Sequence, residues 1–282
     1  MKLINLFSVF LLTSLFICFT ACSDDDKVSD LTLEKELYIV PVAGSTNIKI
    51  LGGYDNLELT KGADLFEFSY IGNSGKNTIG ITGMKVGTTS LTVRNPKLNQ
   101  EVTVTIKVVP AYTSFLVDAN IGIDIEPISV DNKELIRKEI NDNISIKSSY
   151  VISLIKDEEK TLYIFESKDK LAKAEFLYKG TYEFEKKEDA GYLILNYKNA
   201  GAEETHRYKL DGNTAIAFIN LFFDLDWTKA KMSEPALIAM DLTEDYTEVL
   251  KSKYPQLESA ISKMKTILFY YPNLELPVEL FE

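Results

Sequence analysis

The sequence is poor in the side chains that carry most metal and nucleophile chemistry. Its 282 residues include two cysteines, one histidine and one tryptophan. A single histidine, His206, excludes a multi-histidine zinc site and an H-E-x-x-H protease. Cys18 lies inside an apolar N-terminal run and Cys22 follows that run. We therefore expect no disulfide and no thiol nucleophile in the folded part of the chain.

The sequence also lacks a positive balance of charge, because its 42 acidic residues outnumber its 31 basic ones and give a formal net charge of −11 at pH 7. An acidic surface repels phosphate backbones, which makes nucleic acid a poor partner. The glycine pairs at 52–53 and 72–75 lie between predicted strands with no helix following, so neither forms a phosphate loop. We expect no cofactor and no metal centre.

The N-terminus has the order of a secretory signal. Met1-Lys2 is followed by an apolar run at 3–19 and then by the small residues Thr20-Ala21. The sequence Thr20-Ala21-Cys22 resembles the lipobox of bacterial lipoproteins, which implies acylation of Cys22 as the first mature residue. The alternative is an uncleaved anchor, since 17 residues reach the lower end of the roughly 17–25 that span a bilayer.

The residues after Cys22 extend this resemblance. S-D-D-D at 23–26 resembles the acidic tag of surface-exposed lipoproteins of Bacteroidota. The resemblance implies an outer-membrane protein displayed at the cell surface and attached to the membrane by its lipid. We predict a lipoprotein signal peptide at 1–21 and an acidic tether at 22–30.

Residues 31–110 have the pattern of a small β-sandwich. Alternating segments separated by turn residues predict antiparallel strands at 37–42, 47–51, 57–59, 66–68, 77–83, 87–93 and 102–108. G-M-K-V-G-T-T-S-L-T-V at 83–93, followed by V-T-V-T-I-K-V at 102–108, resembles the end of a bacterial Ig-like domain of group 2. Such domains act as spacers or adhesive modules, and none of their residues is catalytic.

Residues 111–282 predict an α+β domain. A capping pattern and helical spacing predict a short helix at 131–144. Strands are predicted at 151–156, 161–166, 173–177, 180–185, 191–197, 205–210 and 215–218, as an antiparallel meander that is open or closed into a barrel. G-T-Y-E-F at 180–184, Y-L-I-L-N-Y at 192–197 and Y-K-L-D-G-N-T at 208–214 resemble the lipocalin-like domains of Bacteroidota lipoproteins.

The C-terminal part of this domain predicts two helices that cover the sheet. Asp241 and Glu244 make a cap pattern for a helix at 241–250. Pro255 is suitable as the first residue of a second helix, at 255–268. The predicted fold is mainly β: an Ig-like sandwich, then an α+β domain with a lipocalin-like meander or barrel and C-terminal helices.

One cluster carries the chemistry of a binding site. F-F-D-L-D-W at 222–227 places Asp224 and Asp226 beside aromatic residues, among them Trp227. Rings that stack on a pyranose face and acids that accept from its hydroxyl groups are the parts of a sugar site. The two acids could instead contribute to a calcium site, or the aromatics could be core and the acids could cap a turn. His206, in an alternating strand, is predicted to face solvent.

These observations predict a non-enzymatic surface lipoprotein. We expect the C-terminal domain to bind a glycan or a host or cell-surface ligand, with the Ig-like domain as spacer. The alternative is a structural or assembly component of an outer-membrane complex with no small ligand. A hydrolase using a carboxylate pair is a more distant hypothesis, which would need two acids facing each other across a cleft.

Overall fold

The computed structural model shows a mainly β protein built from three sheets. It describes residues 30–53, 56–73, 76–117, 122–125, 134, 146–187, 190–211, 220, 222–223, 239–245, 252, 262–270 and 274–282. A short helix, α1 (Lys168–Ala172), and a 3-10 turn (Val278–Phe281) interrupt the strands. Within these described ranges, no helix has the length and apolar character needed to cross a membrane.

The N-terminal region is a sandwich of two four-stranded sheets. The first sheet has the order β1 (Thr32–Leu33), β3 (Ser45–Gly52), β6 (Lys76–Gly83), β5 (Phe66–Asn73). The second has the order β2 (Leu37–Pro41), β8 (Gln100–Val109), β7 (Gly87–Asn95), β4 (Glu58–Lys61). All seven strands predicted for this region are present, because period-two alternation places one apolar face of each sheet on a shared core. Ile48, Ile81, Leu91 and Ile106 are fully buried in that core.

The sandwich departs from the predicted antiparallel pattern in one pair of strands. β2 pairs in parallel with β8, and Val42 then bridges to Gly83 in the other sheet. The chain therefore passes from one sheet to the other directly after Pro41. A Cβ at Gly83 would lie 2.4 Å from the Pro41 carbonyl oxygen, so this crossing requires glycine.

The third sheet closes on itself, and we call it the closed sheet. Its strands are β9 (Tyr112–Val117), β10 (Gly122–Ile125), β11 (Val151–Ile155), β12 (Thr161–Phe165), β13 (Tyr178–Lys187), β14 (Ala190–Asn199), β15 (Ala202–Asp211), β16 (Ala239–Asp245) and β17 (Ser262–Tyr270). β9 pairs with β11, and from β11 to β17 each strand pairs with the next along the chain. β17 returns to β9 through pairs such as Leu268 with Val117, and β10 pairs with another part of β17. All of these pairs are antiparallel. Because β17 pairs with β9, the predicted meander closes into a barrel.

The two predicted C-terminal helices are wrong over the part that the structure describes. Ala239–Asp245 and Ser262–Tyr270 are strands. Leu242, which lies in the predicted helix at 241–250, also fits strand alternation together with Met240. Pairing of β16 with β15 and of β17 with β9 gives these backbones hydrogen-bond partners and closes the sheet.

Two smaller predictions are also corrected. The connection that the meander predicts between the strands at 161–166 and 173–177 contains α1, whose first turn is capped by the Ser167 side chain. The predicted strand at 173–177 is a turn that leads into β13. The predicted strand at 215–218 and, apart from Glu134, the predicted helix at 131–144 lie outside the described residues.

Both faces of part of the closed sheet are buried. Inner residues such as Ile152, Leu162 and Leu195 form one core. The outer face of β9, β11 and β12 is covered by Leu276 and Leu280 of the C-terminal segment 274–282. This double burial explains why β11 and β12 are apolar at nearly every position.

Candidate ligand site on the inner face of the closed sheet

Three adjacent strands place aromatic side chains next to one another on the inner face. Along β15 the inward positions alternate, so that Glu204, His206, Tyr208 and Leu210 share one face. Leu195 of β14 lies opposite His206. A polar and aromatic surface therefore continues the apolar core toward the ends of β13, β14 and β15 where Tyr178, Asn199 and Ala202 lie.

The rings of Tyr178, Tyr197, His206 and Tyr208 stack in sequence, and we call them the aromatic ladder. Tyr178 and Tyr197 have centroids 4.8 Å apart with an interplanar angle of 22°. The Tyr197 and His206 rings are 5.5 Å apart at 11°, and the His206 and Tyr208 rings are 6.1 Å apart at 16°. Tyr178 is half-buried, so the ladder begins where solvent reaches it and ends in the core.

His206 lies between two carboxylates. Its Nδ1 is 3.0 Å from Glu244 Oε1 on β16, and its Nε2 is 3.2 Å from Glu204 Oε2. Asn199 Nδ2 donates to the other Glu204 oxygen at 2.6 Å. The side chains of His206, Glu204 and Glu244 are 13%, 24% and 11% exposed.

This arrangement shows that the predicted solvent-facing position of His206 is wrong. The residues that face outward on this strand are Thr205 and Arg207, and Arg207 pairs with Glu185 on the outer face. Tyr208 and Leu210 are buried, and period-two alternation places His206 on the same side as both. Because His206 is two residues from Tyr208 and four from Leu210, this alternation is the signal in the sequence that indicates an inward position for His206.

The surroundings of His206 favour its protonated form. Burial lowers the pKa of His206, but the hydrogen bonds and charges of Glu244 and Glu204 outweigh burial and raise it above its ordinary value. Both ring nitrogens face carboxylate oxygens, and only the imidazolium can donate from both. Burial, followed by the charge of Glu204, also raises the pKa of Tyr178 and keeps its phenol neutral.

The geometry around His206 limits the chemistry it can perform. With both ring nitrogens held by acids, neither is turned toward a serine hydroxyl as a general base would be. Among the residues that the structure describes, no group of three or more His, Cys, Asp or Glu side chains is arranged to hold a metal ion. The site instead presents the half-buried Tyr178 ring at the open end of the ladder and carboxylate oxygens, which suit recognition of a polar ligand.

The predicted site residues Cys22, Asp224, Asp226 and Trp227 lie outside the described residues. Their aromatic neighbours Phe222 and Phe223 are described, and both pack against the inner core. Phe222 is 6.0 Å from the Tyr182 ring and Phe223 stacks on Phe184 at 4.9 Å. The first two aromatics of that cluster are therefore core residues.

Comparisons with known proteins give only distant structural matches. No protein-family model and no curated protein sequence matches the chain. Domains 4 and 5 of the S-layer protein SbsC match at 18% identity with a TM-score of 0.23, over 28% of this chain and 51% of that one. This chain thus spans about half the length of that structure.

Two further structures are similar over more of the chain. Domains 5–6 of SbsC match 77% of this chain and 89% of that one at 13% identity, with a TM-score of 0.25. A DUF4784 family protein from Bacteroides caccae ATCC 43185 matches 77% of this chain and 65% of that one at 6% identity, with a TM-score of 0.20. Similarity at these TM-scores carries no argument about function.

Proposed function

We propose that this chain is a lipid-anchored protein of the bacterial cell surface that binds a glycan in the closed sheet. The observation that carries the proposal is the aromatic ladder beside Glu204 and Glu244 on the inner face. Ring faces stack on the apolar face of a sugar, and carboxylates accept hydrogen bonds from its hydroxyl groups. The half-buried Tyr178 and the partly exposed Glu204 are the groups that a ligand would meet first.

In this proposal the two regions have different tasks. The sandwich, as a group 2 bacterial Ig-like domain, is a spacer between the lipid anchor and the closed sheet. The closed sheet, with its sequential antiparallel strands, is a lipocalin-like module that binds inside its wall. The placement of His206 supports a binding role rather than a hydrolytic one, because both of its ring nitrogens face carboxylates.

A glycan array probed with the soluble chain from Ser23 to Glu282 tests the proposal. We expect selective binding that Tyr178→Ala weakens by about tenfold or more, the effect of losing one stacking ring at about 1–3 kcal/mol. Tyr192→Ala is the matched control, because Tyr192 lies on the next strand but packs under Arg207 on the outer face. Equal loss in both variants, or no glycan bound by the parent chain, would contradict the proposal.

Trp227, Asp224 and Asp226 stay predicted contacts for the same ligand. If Trp227 stacks on a sugar, Trp227→Ala weakens binding by about 1–3 kcal/mol with little loss of stability. If Trp227 is core, the same change costs about 3–5 kcal/mol of folding free energy. Thermal unfolding measured before binding separates the two, and a large drop in melting temperature removes Trp227 from the proposed site.

Membrane attachment through Cys22 has its own test. Acylation at this residue predicts that Cys22→Ala releases the protein from the membrane fraction or leaves it unprocessed. The measurement is detergent partitioning together with the mass of the mature chain. Unchanged partitioning and unchanged mass in the variant would remove the lipid anchor from the proposal.

The alternative function, a structural or assembly component, is favoured by the surface of the sandwich. Large apolar side chains are exposed there, among them Leu51 at 55% and Val86 at 53%. Exposed apolar side chains mark protein interfaces where they join into one patch, and these residues are the candidates for such a contact. In that case Leu51→Lys and Val86→Lys abolish recovery of a cross-linked complex from intact cells, and Tyr178→Ala leaves the complex intact.

A further inference from the structure

The connection between β12 and β13 carries a local charge opposite to that of the chain. Residues 168–179, which we call the lysine-rich segment, contain four lysines and two acids in a chain of net charge −11. The acids are Asp169 and Glu175, and Glu175 pairs with Lys170 inside the segment. Lys173 and Lys179 are exposed. The segment therefore has a local excess of two positive charges in an acidic protein, next to the exposed Glu166, whose charge acts on Lys170.

The same segment exposes two large apolar side chains. Phe176 is 46% exposed and Leu177 is 36% exposed, and they are adjacent in sequence. They are among the few large apolar residues outside the sandwich that the described part of the chain leaves in solvent. The segment thus combines exposed apolar surface with flanking positive charge.

The exposed pair rests on a fixed base. Leu171 is buried against the outer face of the closed sheet, and the Leu177 amide donates to the Ile164 carbonyl at 2.7 Å. The Phe176 ring packs 5.2 Å from the Tyr163 ring, with Lys179 Nζ 5.6 Å from the same ring. Phe176 and Leu177 are therefore held outward by their neighbours.

We propose that the lysine-rich segment contacts the surface of an anionic lipid bilayer. Phe176 and Leu177 enter the headgroup region, and Lys173 and Lys179 lie next to lipid phosphates. Charge complementarity selects this partner: the rest of the acidic surface is repelled by anionic lipid, so only a locally basic apolar site gains from the contact. Long lysine side chains can keep their ammonium groups at phosphate level while the apolar pair enters.

The sequence before the sandwich permits this contact. Nine residues lie between Cys22 and Thr32, and the stretch from one to the other spans at most about 36 Å when extended. A lipid at Cys22, as in the proposed function, would keep the chain at the bilayer and raise the effective concentration of the segment there. The contact itself does not require the lipid, so the unlipidated chain tests it separately.

Vesicle co-sedimentation of the chain from Ser23 to Glu282 is the test, since this chain retains every residue that the structure describes. We expect binding to vesicles of phosphatidylcholine with phosphatidylglycerol and little binding to phosphatidylcholine alone. Lys173→Glu is expected to weaken partitioning by about tenfold or more, since each basic residue near the surface contributes about fivefold. Phe176→Ala with Leu177→Ala is expected to weaken it by about tenfold, with only a small change in thermal unfolding, because both side chains are at least a third exposed.

The matched control places the same changes on the sandwich. Lys49→Glu with Leu51→Ala alters one exposed lysine and one exposed leucine on β3 and is expected to leave partitioning unchanged. Equal loss in control and test variants would overturn the proposal, as would binding that depends on Lys173 but not on Phe176 and Leu177. The latter result identifies a soluble polyanion as the partner class.

The result is distinguishable from failure of the proposed function. Phe176→Ala with Leu177→Ala is expected to leave glycan binding on the array intact. Glu204→Gln, on the inner face and outside the lysine-rich segment, is expected to weaken glycan binding and to leave vesicle binding intact. If either variant loses both activities, circular dichroism shows whether it is misfolded. Loss of both activities in a folded variant would mean that one surface binds both ligands, and this result would overturn the lipid contact as a separate site.

Discussion

The sandwich and the closed sheet differ in how they use buried polar side chains. Of the six buried polar or charged residues in the described chain, Asn95 lies in the sandwich and the other five lie in the closed sheet. Asn95 Nδ2 donates to the Gly53 carbonyl at 2.7 Å, and its Oδ1 accepts from the Lys97 and Leu98 amides. The buried polarity of the sandwich is therefore used to fix a turn.

Buried polarity in the closed sheet goes beyond turns and caps. Ser114 and Ser153 share a 2.8 Å hydrogen bond between β9 and β11, which is a structural use. Glu244 instead faces His206, one of the two inner rings of the aromatic ladder. Charged groups are costly to bury unless they are paired. The closed sheet buries a charged group despite this cost, whereas the described part of the sandwich core buries none. We therefore expect ligand binding in the closed sheet.

The largest effects should come from core leucines, one in each region. Leu91 in the sandwich and Leu195 in the closed sheet are both fully buried. Each change to alanine is expected to cost about 2–5 kcal/mol of unfolding free energy. If the regions unfold separately, calorimetry shows Leu91→Ala lowering one transition and Leu195→Ala lowering the other. A single transition lowered by both would show that the two cores unfold as one.

A second large effect is expected at Gly180, where β13 approaches β14 closely. A Cβ there would lie 1.9 Å from the Asn196 carbonyl oxygen, so the strands must separate to admit it. Gly180→Ala is expected to destabilise the closed sheet by about 3 kcal/mol. The control is Gly80→Ala in the sandwich, whose nearest neighbour is the movable Ser69 hydroxyl at 3.1 Å. Equal destabilisation by both would contradict the close approach.

A smaller effect is expected from pH. Folding raises the pKa of His206 above 6.5, so its stabilisation is complete below pH 6.5 and is lost as the pH rises through the raised value. The melting temperature of the closed sheet should therefore fall by a few degrees as the pH is raised from 6.5 through the pKa that His206 has in the folded protein. The chain has one histidine, so its NMR titration reports the pKa directly.

The control for the pH effect is Glu244→Gln, which removes one acid next to His206. The pKa of His206 should fall in this variant, and the pH dependence of melting should flatten. The melting temperature of the sandwich should not change over this pH range in the parent or in the variant. If the pKa of His206 in the parent protein is below 6.5, burial has a larger effect on that pKa than Glu244 and Glu204 together.

The smallest effect is expected at an ion pair on the outer face. Arg207 contacts Glu185 at 2.9 Å, and both side chains are more than a third exposed. Glu185→Gln is expected to change stability by less than about 1 kcal/mol. Urea unfolding measures it, and a loss as large as that of Leu195→Ala would show that the outer face contributes more than its exposure suggests.

The sequence predicted the sandwich better than the closed sheet, for a physical reason. Strands such as β7 and β8 alternate cleanly and are joined by short turns, so local pattern determines them. β17 closes the sheet by pairing with β9, far earlier in the chain, and no local pattern reports such a partner. The same residues from 241 to 268 satisfy helical spacing, which explains the wrong helices.

The candidate site was predictable only in part. Aromatics and acids in the second region were recognised as the parts of a sugar site, but at Asp224, Asp226 and Trp227. The inner-face cluster depends on His206 and Glu244 meeting across β15 and β16, which are separated by 27 residues of sequence. Its spacing of two residues from Tyr208 predicts that His206 faces inward. The contact between His206 and Glu244, in contrast, depends on the register of β15 with β16.

The most direct measurement compares two adjacent glutamates on opposite faces of β15. Glu204 faces inward to His206, and Glu203 faces outward to Lys198, with its side chain 71% exposed. Titration calorimetry with a glycan selected on the array should show binding weakened about tenfold or more by Glu204→Gln and unchanged by Glu203→Gln. Equal affinities for both variants and the parent would contradict the claim that the inner face of the closed sheet is the binding site.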